Sequence, residues 1–166
     1  MIIVLMGVSG TGKTTIGDLL SKELQWDFFD GDDFHDPANV AKMAAGIPLT
    51  DEDRQAWLST LRGIVTRLRE EGKNGIIACS ALKQSYRRLL MTHAEDVSLV
   101  HLKGDFEQIK KRLNDRKGHF MGDSLLESQF LTLEEPEDAT EVDIALTPAE
   151  IVSTIIKQQN LRRART

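Results

Sequence analysis

Ile2-Ile3-Val4-Leu5-Met6 runs directly into Gly7-Val8-Ser9-Gly10-Thr11-Gly12-Lys13-Thr14-Thr15, and this junction decides the fold. The five apolar residues have the length and β-branched content of a buried strand, and Gly7 bounds them. From Gly7 to Thr14 the chain matches G-x-x-x-x-G-K-[S/T] in the strand-to-helix setting that this motif requires. Glycines at 7, 10 and 12 let the backbone curl into a concave nest of N–H groups aimed at an anion. The N-terminus of the following helix adds its dipole. Lys13 is placed to reach the outer phosphates, and the Thr14 hydroxyl to ligate a Mg²⁺ that bridges the same oxygens. Gly7, Val8, Ser9, Gly10, Thr11, Gly12, Lys13, Thr14 and Thr15 are therefore expected to hold the phosphates of ATP or GTP.

Outward from this junction the same alternation repeats. Strand-like apolar runs recur at Trp26 to Phe29, Gly75 to Ser80, Val97 to Leu102 and Val142 to Leu146, each followed by helical spacing. Ile16, Leu19, Leu20 and Leu24 share one helical face, as do Trp57, Leu61, Ile64, Val65 and Leu68. Strands that are apolar nearly throughout are covered on both sides, which means a parallel sheet between two helical layers. The expected fold is a three-layer α/β domain: a five-stranded parallel sheet with helices on both faces, forming a single domain over residues 1–166.

Composition agrees. At 166 residues the chain has the length of one domain. Its single cysteine, Cys79, leaves no internal disulfide framework and no multi-cysteine zinc site, which fits a reducing compartment such as the cytoplasm. The run Met1 to Val8 is far short of the roughly 20 residues needed to span a bilayer, and it has neither a basic leader nor a small-residue cleavage site. Neither a membrane span nor a signal peptide is expected. With 21 basic and 26 acidic residues the net charge is −5, so no overall field draws in nucleic acid. The charge is segregated by segment: residues 30–53 carry seven acids and one base, residues 101–118 six bases and three acids, and residues 123–143 eight acids and no base.

The phosphate loop occurs in switches, motors and small-molecule kinases alike. No N-K-x-D tetrapeptide of a guanine switch occurs, and the third strand ends Ile76-Ile77-Ala78-Cys79-Ser80 where a large ATPase would carry Asp or Glu. A compact kinase is the reading left. In a parallel sheet the carboxyl ends of neighbouring strands share one crevice, which brings the exit of the second strand, Asp30-Gly31-Asp32-Asp33, beside the terminal phosphate. Asp30 is assigned to the Mg²⁺ shell through water. Asp32 is assigned to the acceptor hydroxyl, which it orients and whose proton it takes late. Asp36 before Pro37 reads as a helix cap.

Five segments together resemble the gluconokinase family: the phosphate loop; Asp30-Gly31-Asp32-Asp33-Phe34-His35; Gly46-Ile47-Pro48-Leu49-Thr50-Asp51-Glu52-Asp53-Arg54 with Trp57-Leu58; Cys79-Ser80-Ala81-Leu82-Lys83 with Tyr86-Arg87; and Lys117-Gly118-His119-Phe120. They stand in the family's order and cover most of residues 1–135. The resemblance implies the fold of shikimate kinase and the nucleoside monophosphate kinases. It also implies ATP- and Mg²⁺-dependent phosphorylation of D-gluconate on its 6-hydroxyl, an acceptor-binding insertion at about 33–56, a mobile lid at about 112–124, and a homodimer. A kinase for another hydroxy acid such as shikimate, or an ATP-holding regulatory module, would share the phosphate loop.

An acid sugar needs fixed cations away from the reacting end, and Arg54, Lys83 and Arg87 are the candidates. Arg54 stands among Asp51, Glu52 and Asp53, which offer it alternative partners. Lys83 and Arg87, four residues apart, are expected on one face, where plain solvation is the alternative. His35 and Lys42-Met43 are further walls of the sugar pocket by resemblance. In the lid, Arg116 is assigned to phosphate charge and Arg112 to stacking on adenine, with Lys117 and His119 as weaker candidates. Helix C-terminal cations stabilised by the dipole are the alternative there. The resemblance also sets Pro148 beside the adenine. Cys79 reads as a small buried apolar group.

Overall fold

In the computed structural model, which describes residues 1–91, 96–115 and 123–162, β1 (Ile2–Met6) is the middle strand of five. α1 (Lys13–Leu24) leads to β2 (Asp27–Asp30), a 3-10 turn (Gly31–Phe34), α2 (Pro37–Ala44) and α3 (Asp51–Glu70). β3 (Gly75–Ala78), α4 (Gln84–Leu90), β4 (Val97–Lys103) and α5 (Phe106–Asp115) follow, then α6 (Asp123–Thr132), β5 (Thr140–Asp143) and α7 (Pro148–Gln158). The strand order is β2-β3-β1-β4-β5, and every pairing is parallel, with Ile2 opposite Gly75 on β3 and Val97 on β4.

All five residues of β1 are buried, and their alternation divides the core in two. Ile3 and Leu5 face Ile16, Leu20 and Leu24 of α1, Ile109 and Leu113 of α5, and Ile151 and Ile155 of α7. Ile2, Val4 and Met6 face Trp57, Leu61, Ile64 and Val65 of α3 and Tyr86 and Leu90 of α4. The expected helix–sheet–helix sandwich is the one observed. It holds the carboxyl ends of β1, β2 and β3 rigidly side by side, where the functional groups gather.

Strand ends differ from the sequence pattern by a few residues. β2 begins one residue later and takes in Asp30. β3 stops at Ala78: the Cys79 N–H still bonds Leu5 O, but at Ala81 the backbone turns to φ 45°. β5 ends at Asp143 rather than reaching Leu146, because the Asp143 carboxylate accepts the Ala145 N–H at 2.7 Å and bends the chain into a turn.

The expected acceptor insertion is a packed structure with explicit ties. Asp36 caps α2 by accepting the Asn39 N–H at 2.8 Å, with Pro37 in the first turn. Thr50 and Asp53 form a reciprocal capping box at the start of α3. Asn39 Nδ2 donates to Asp53 O, and Lys42 Nζ to the Asp53 carboxylate, both at 2.7 Å, so α2 is fastened to the first turn of α3.

Candidate active site

The phosphate loop takes the shape its glycines permit. Gly7 has φ 143°, and a Cβ there would lie 2.7 Å from the Leu102 carbonyl oxygen, so no other residue fits. Gly12 enters α1 in the left-handed region at φ 96°. The buried Thr11 hydroxyl donates to Val8 O at 3.0 Å and pins the loop from inside. Lys13 curls over it, its ammonium donating to Gly7 O at 2.9 Å and Val8 O at 3.1 Å. Burial pulls the Lys13 ammonium below the ordinary lysine range, and Asp32 is the main opposing charge, with Asp30 also contributing. A phosphate there would replace that missing solvation with an opposite charge.

At the exit of β2, the Thr14 hydroxyl donates to Asp30 Oδ2 at 2.6 Å, while Asp30 Oδ1 accepts the Asp32 N–H at 3.0 Å. One carboxylate thus joins the phosphate loop to the 3-10 turn that carries Asp32. Hydroxyl and carboxylate oxygens are the hard donors that Mg²⁺ prefers, so the Thr14–Asp30 pair has the right chemistry to hold it.

A cavity of about 440 Å³ opens from this loop, lined by Ser9, Gly10 and Gly12 to Thr15 on one side and by Asp32, His35, Arg54 and Trp57 on the other. That volume is within the range of small-ligand sites. The His35 ring stacks on Trp57 with centroids 4.3 Å apart and planes 15° off parallel. Trp57 is itself fixed by donating Nε1–H to Gly31 O at 2.6 Å. Gly31 can lie that deep only because it lacks a Cβ, which would fall 2.4 Å from Ala78 O. The His35 Nδ1 is buried without a hydrogen-bond partner among the described residues. Burial lowers the His35 pKa, opposed first by Asp32, so a neutral imidazole is favoured beside the cavity.

Three neighbouring cations meet three different fates. Arg54 lines the cavity: its guanidinium donates to Leu49 O and to the Tyr86 hydroxyl, and lies 5.7 Å from the Tyr86 ring centre. Its acidic neighbours do not tie it down, since Asp53 takes Lys42 and Asp51 takes Lys83 and the Tyr86 hydroxyl. Lys83 holds both Asp51 oxygens at 2.7 and 2.8 Å and keeps that carboxyl below the ordinary aspartate value. Arg87 is buried, donates to Ala81 O at 3.1 Å and Leu82 O at 3.0 Å, and borders a separate groove with Glu134 and Asp138. The expectation that Lys83 and Arg87 share a face at the acceptor is therefore corrected. Lys83 is the capping residue before α4, and its side chain reaches back to α3, while Arg87 folds under the loop to satisfy carbonyls that have turned out of β3. Lys42, expected as a wall beside Met43, is drawn away by Asp53, and Met43 alone lines the cavity.

Arg112, in the last turn of α5, donates to Ile144 O in the connection between β5 and α7. Pro148 begins α7 behind a Thr147–Glu150 capping box. Arg116, Lys117 and His119 lie outside the described residues, as does most of the expected lid. Cys79 is buried and its thiol is pushed up to about 12 by burial, which leaves it inert.

Sequence reasoning missed α6. Leu125, Ser128, Gln129 and Thr132 line the cavity from that helix, and the Gln129 carboxamide is bonded twice to Ser9. A single glutamine in a helix carries no distinguishing pattern. Only the spacing i, i+3, i+4, i+7 of the four positions could have marked the face.

The shikimate kinase family profile matches residues 9–158. A probable gluconokinase of Xenopus tropicalis is 43% identical, covering 95% of this chain and 90% of the relative. The thermoresistant gluconokinase of Escherichia coli is 45% identical, covering 86% of this chain and 81% of its own length. Among solved structures, a gluconokinase from Sinorhizobium meliloti superposes with a TM-score of 0.83 at 41% identity, over 93% of this chain and 89% of that one. Shikimate kinase from Aquifex aeolicus, at 19% identity and a TM-score of 0.63 over 96% of both chains, shares the fold.

Proposed function

We propose that this chain, which belongs to the gluconokinase family of shikimate kinase-like P-loop enzymes, transfers the γ-phosphoryl group of ATP to the 6-hydroxyl of D-gluconate, giving 6-phospho-D-gluconate and ADP. The observation that carries this reading is one cavity shared by the phosphate loop, Asp32 and Arg54. A carboxylate that can orient a hydroxyl and a cation that can hold an acid group share the same space as the phosphate cradle.

Phosphoryl transfer asks the protein for alignment and charge compensation rather than covalent chemistry. The N–H groups of Gly7 to Thr15 and the Lys13 ammonium hold the ATP phosphates. Thr14, with Asp30 through water, would hold Mg²⁺, which neutralises charge on the β- and γ-oxygens. Asp32 accepts the hydrogen bond of the 6-hydroxyl, aims it at phosphorus and receives its proton as the new bond forms. Arg54 pairs with the gluconate carboxylate, and His35, neutral and stacked on Trp57, packs against the sugar chain. Arg112 packs on adenine, and Arg116 with its neighbours in 112–124 brings positive charge over the phosphates and excludes water. Lys83 serves this site through Asp51 and Tyr86, behind Arg54. A homodimer working in the cytoplasm is the proposed assembly and setting, supported by the family resemblance and by a lone buried cysteine; no described helix is long and apolar enough to cross a membrane.

The test is ADP release and product identification over a panel of hydroxy acids with ATP and Mg²⁺. Gluconate is expected to be the preferred acceptor; a preference for shikimate, or no rate above background on gluconate, would refute the assignment.

A further inference from the structure

α6 is anchored on one side and functional on the other. Leu126 is buried in the core and Phe130 meets Phe106 of α5 edge to face with ring centres 5.5 Å apart, which fixes the helix in rotation. The opposite face, Leu125, Ser128, Gln129 and Thr132, is thereby held against the main cavity. From it Gln129 reaches the phosphate loop: its Oε1 accepts the Ser9 N–H at 2.7 Å, and its Nε2 donates to Ser9 Oγ at 3.0 Å. This is a contact between residues 120 positions apart, made by a helix that begins within the 112–124 segment.

Ser9 borders the main cavity together with Lys13, Thr14 and Asp32. On the proposed reading the transferred phosphoryl group lies between Lys13 and Asp32, in the same cavity that Ser9 and Gln129 line. The choice of an amide matters. A purely structural tie to Ser9 would be served as well by Glu, because the Ser9 N–H and hydroxyl could both donate to a carboxylate. What glutamine has and glutamate lacks is an uncharged N–H₂ donor, which suits a phosphoryl oxygen and avoids repelling it.

We propose that Gln129 recognises the γ-phosphoryl group of the bound nucleotide. Its amide N–H₂ turns from Ser9 Oγ to a γ-phosphoryl oxygen, so that α6 distinguishes a nucleoside triphosphate from a diphosphate. The inference rests on the ATP-binding part of the reading above and is independent of which acid is the acceptor.

The test compares binding of a non-hydrolysable β,γ-imido ATP analogue with binding of ADP, by calorimetry in the presence of Mg²⁺, for the wild type, Gln129→Glu and Gln129→Met. Gln129→Glu retains a Ser9 tie but places a negative charge at the γ position. It is expected to weaken the triphosphate about 10-fold or more, the scale of one charge-assisted hydrogen bond, while ADP affinity stays within about twofold. Gln129→Met keeps the side-chain length without any hydrogen bond, and should show the same split at about three- to fivefold. It carries the test alone if Gln129→Glu does not fold. Triphosphate affinity unchanged in the folded variants, or both nucleotides weakened equally, would overturn the proposal, the second outcome marking Gln129 as a structural tie. Variants that show the split, with a wild type that makes no product from gluconate, would refute the acceptor assignment and leave this inference standing.

Discussion

At one end of the main cavity, residues Gly7 to Thr15 build a phosphate cradle from consecutive backbone. The rest of the wall is gathered from separate elements: Asp32 from a 3-10 turn, His35 from the entry to α2, Arg54 and Trp57 from α3, and Gln129 from α6. The first kind of site depends on backbone conformation and is fixed as soon as β1 and α1 pack. The second depends on where several helices come to rest, and it is stabilised piece by piece: Trp57 by Gly31 O, α2 by Asp53, Arg54 by Tyr86. A local cradle tolerates changes elsewhere, whereas a dispersed wall can lose its specificity through residues that never touch the ligand.

The largest effect should come from the cradle. Lys13→Ala removes the desolvated ammonium that curls over the phosphate loop, and kcat is expected to fall about 10³-fold, comparable to losing a preorganised charge contact. Circular dichroism and the melting temperature should stay at wild-type values or rise slightly, since an ammonium desolvated in the fold is removed. Retained turnover would contradict the cradle assignment. Asp32→Asn comes next: kcat should drop roughly 10²-fold with KM for ATP little changed, as expected for a positioned base. Undiminished kcat would remove Asp32 from that role.

On the acceptor side, Arg54→Ala should raise KM for gluconate by roughly 10- to 100-fold, the range of one charge-assisted hydrogen bond, and KM for ATP by much less. Equal rises in both constants would make Arg54 a structural residue. Arg87→Ala sharpens the contrast. It should leave both KM values near wild type and instead cost about 1–3 kcal/mol of stability, because buried carbonyls of Ala81 and Leu82 lose their donor. A selective KM effect for gluconate would restore Arg87 to the acceptor site.

The smallest expected effect concerns pH. His101 is buried on β4, its Nδ1 lacks a hydrogen-bond partner among the described residues, and the Glu135 carboxylate lies 3.6 Å away. Burial lowers its pKa, and Glu135 opposes this only in part. The unfolded chain, with an imidazole near pKa 6.5, then binds the proton first as pH falls. Stability should therefore be unaffected by this group above about pH 6.5 and decline below it. Denaturant titrations at pH 7.5, 6.5 and 5.5 should show a shallower acid decline in His101→Gln, with His35 accounting for part of what remains. An unchanged slope would discount His101.

The three cations beyond the cradle show where sequence pattern loses its force. Arg54, Lys83 and Arg87 all stand beside family-like segments, and spacing alone assigns them alike. Their roles separate because Asp51 is within reach of Lys83, because the φ of 45° at Ala81 leaves carbonyls that Arg87 can satisfy, and because Tyr86 supports Arg54 from behind. The Lys83–Asp51 and Arg54–Tyr86 contacts each span 32 positions, and the Arg87 bonds depend on a backbone turn that no residue pattern announces. Charge arithmetic gave the same warning: the acid-rich run at 30–53 divides into a carboxylate bonded to Thr14, a carboxylate lining the cavity, helix caps and ion-pair partners.

By itself the sequence determined the layered α/β fold, the phosphate cradle and the acidic exit of β2. Strand and helix periodicities and the glycines of the loop act over a few residues, where covalent geometry leaves little choice. Tertiary structure alone decided which cation lines the main cavity, that Arg87 is internal, and that α6 brings Gln129 onto Ser9. Apart from the Arg87 bonds, which depend on the backbone turn at Ala81, those outcomes turn on contacts between residues tens of positions apart, and such contacts exist only once the helices have packed on the sheet.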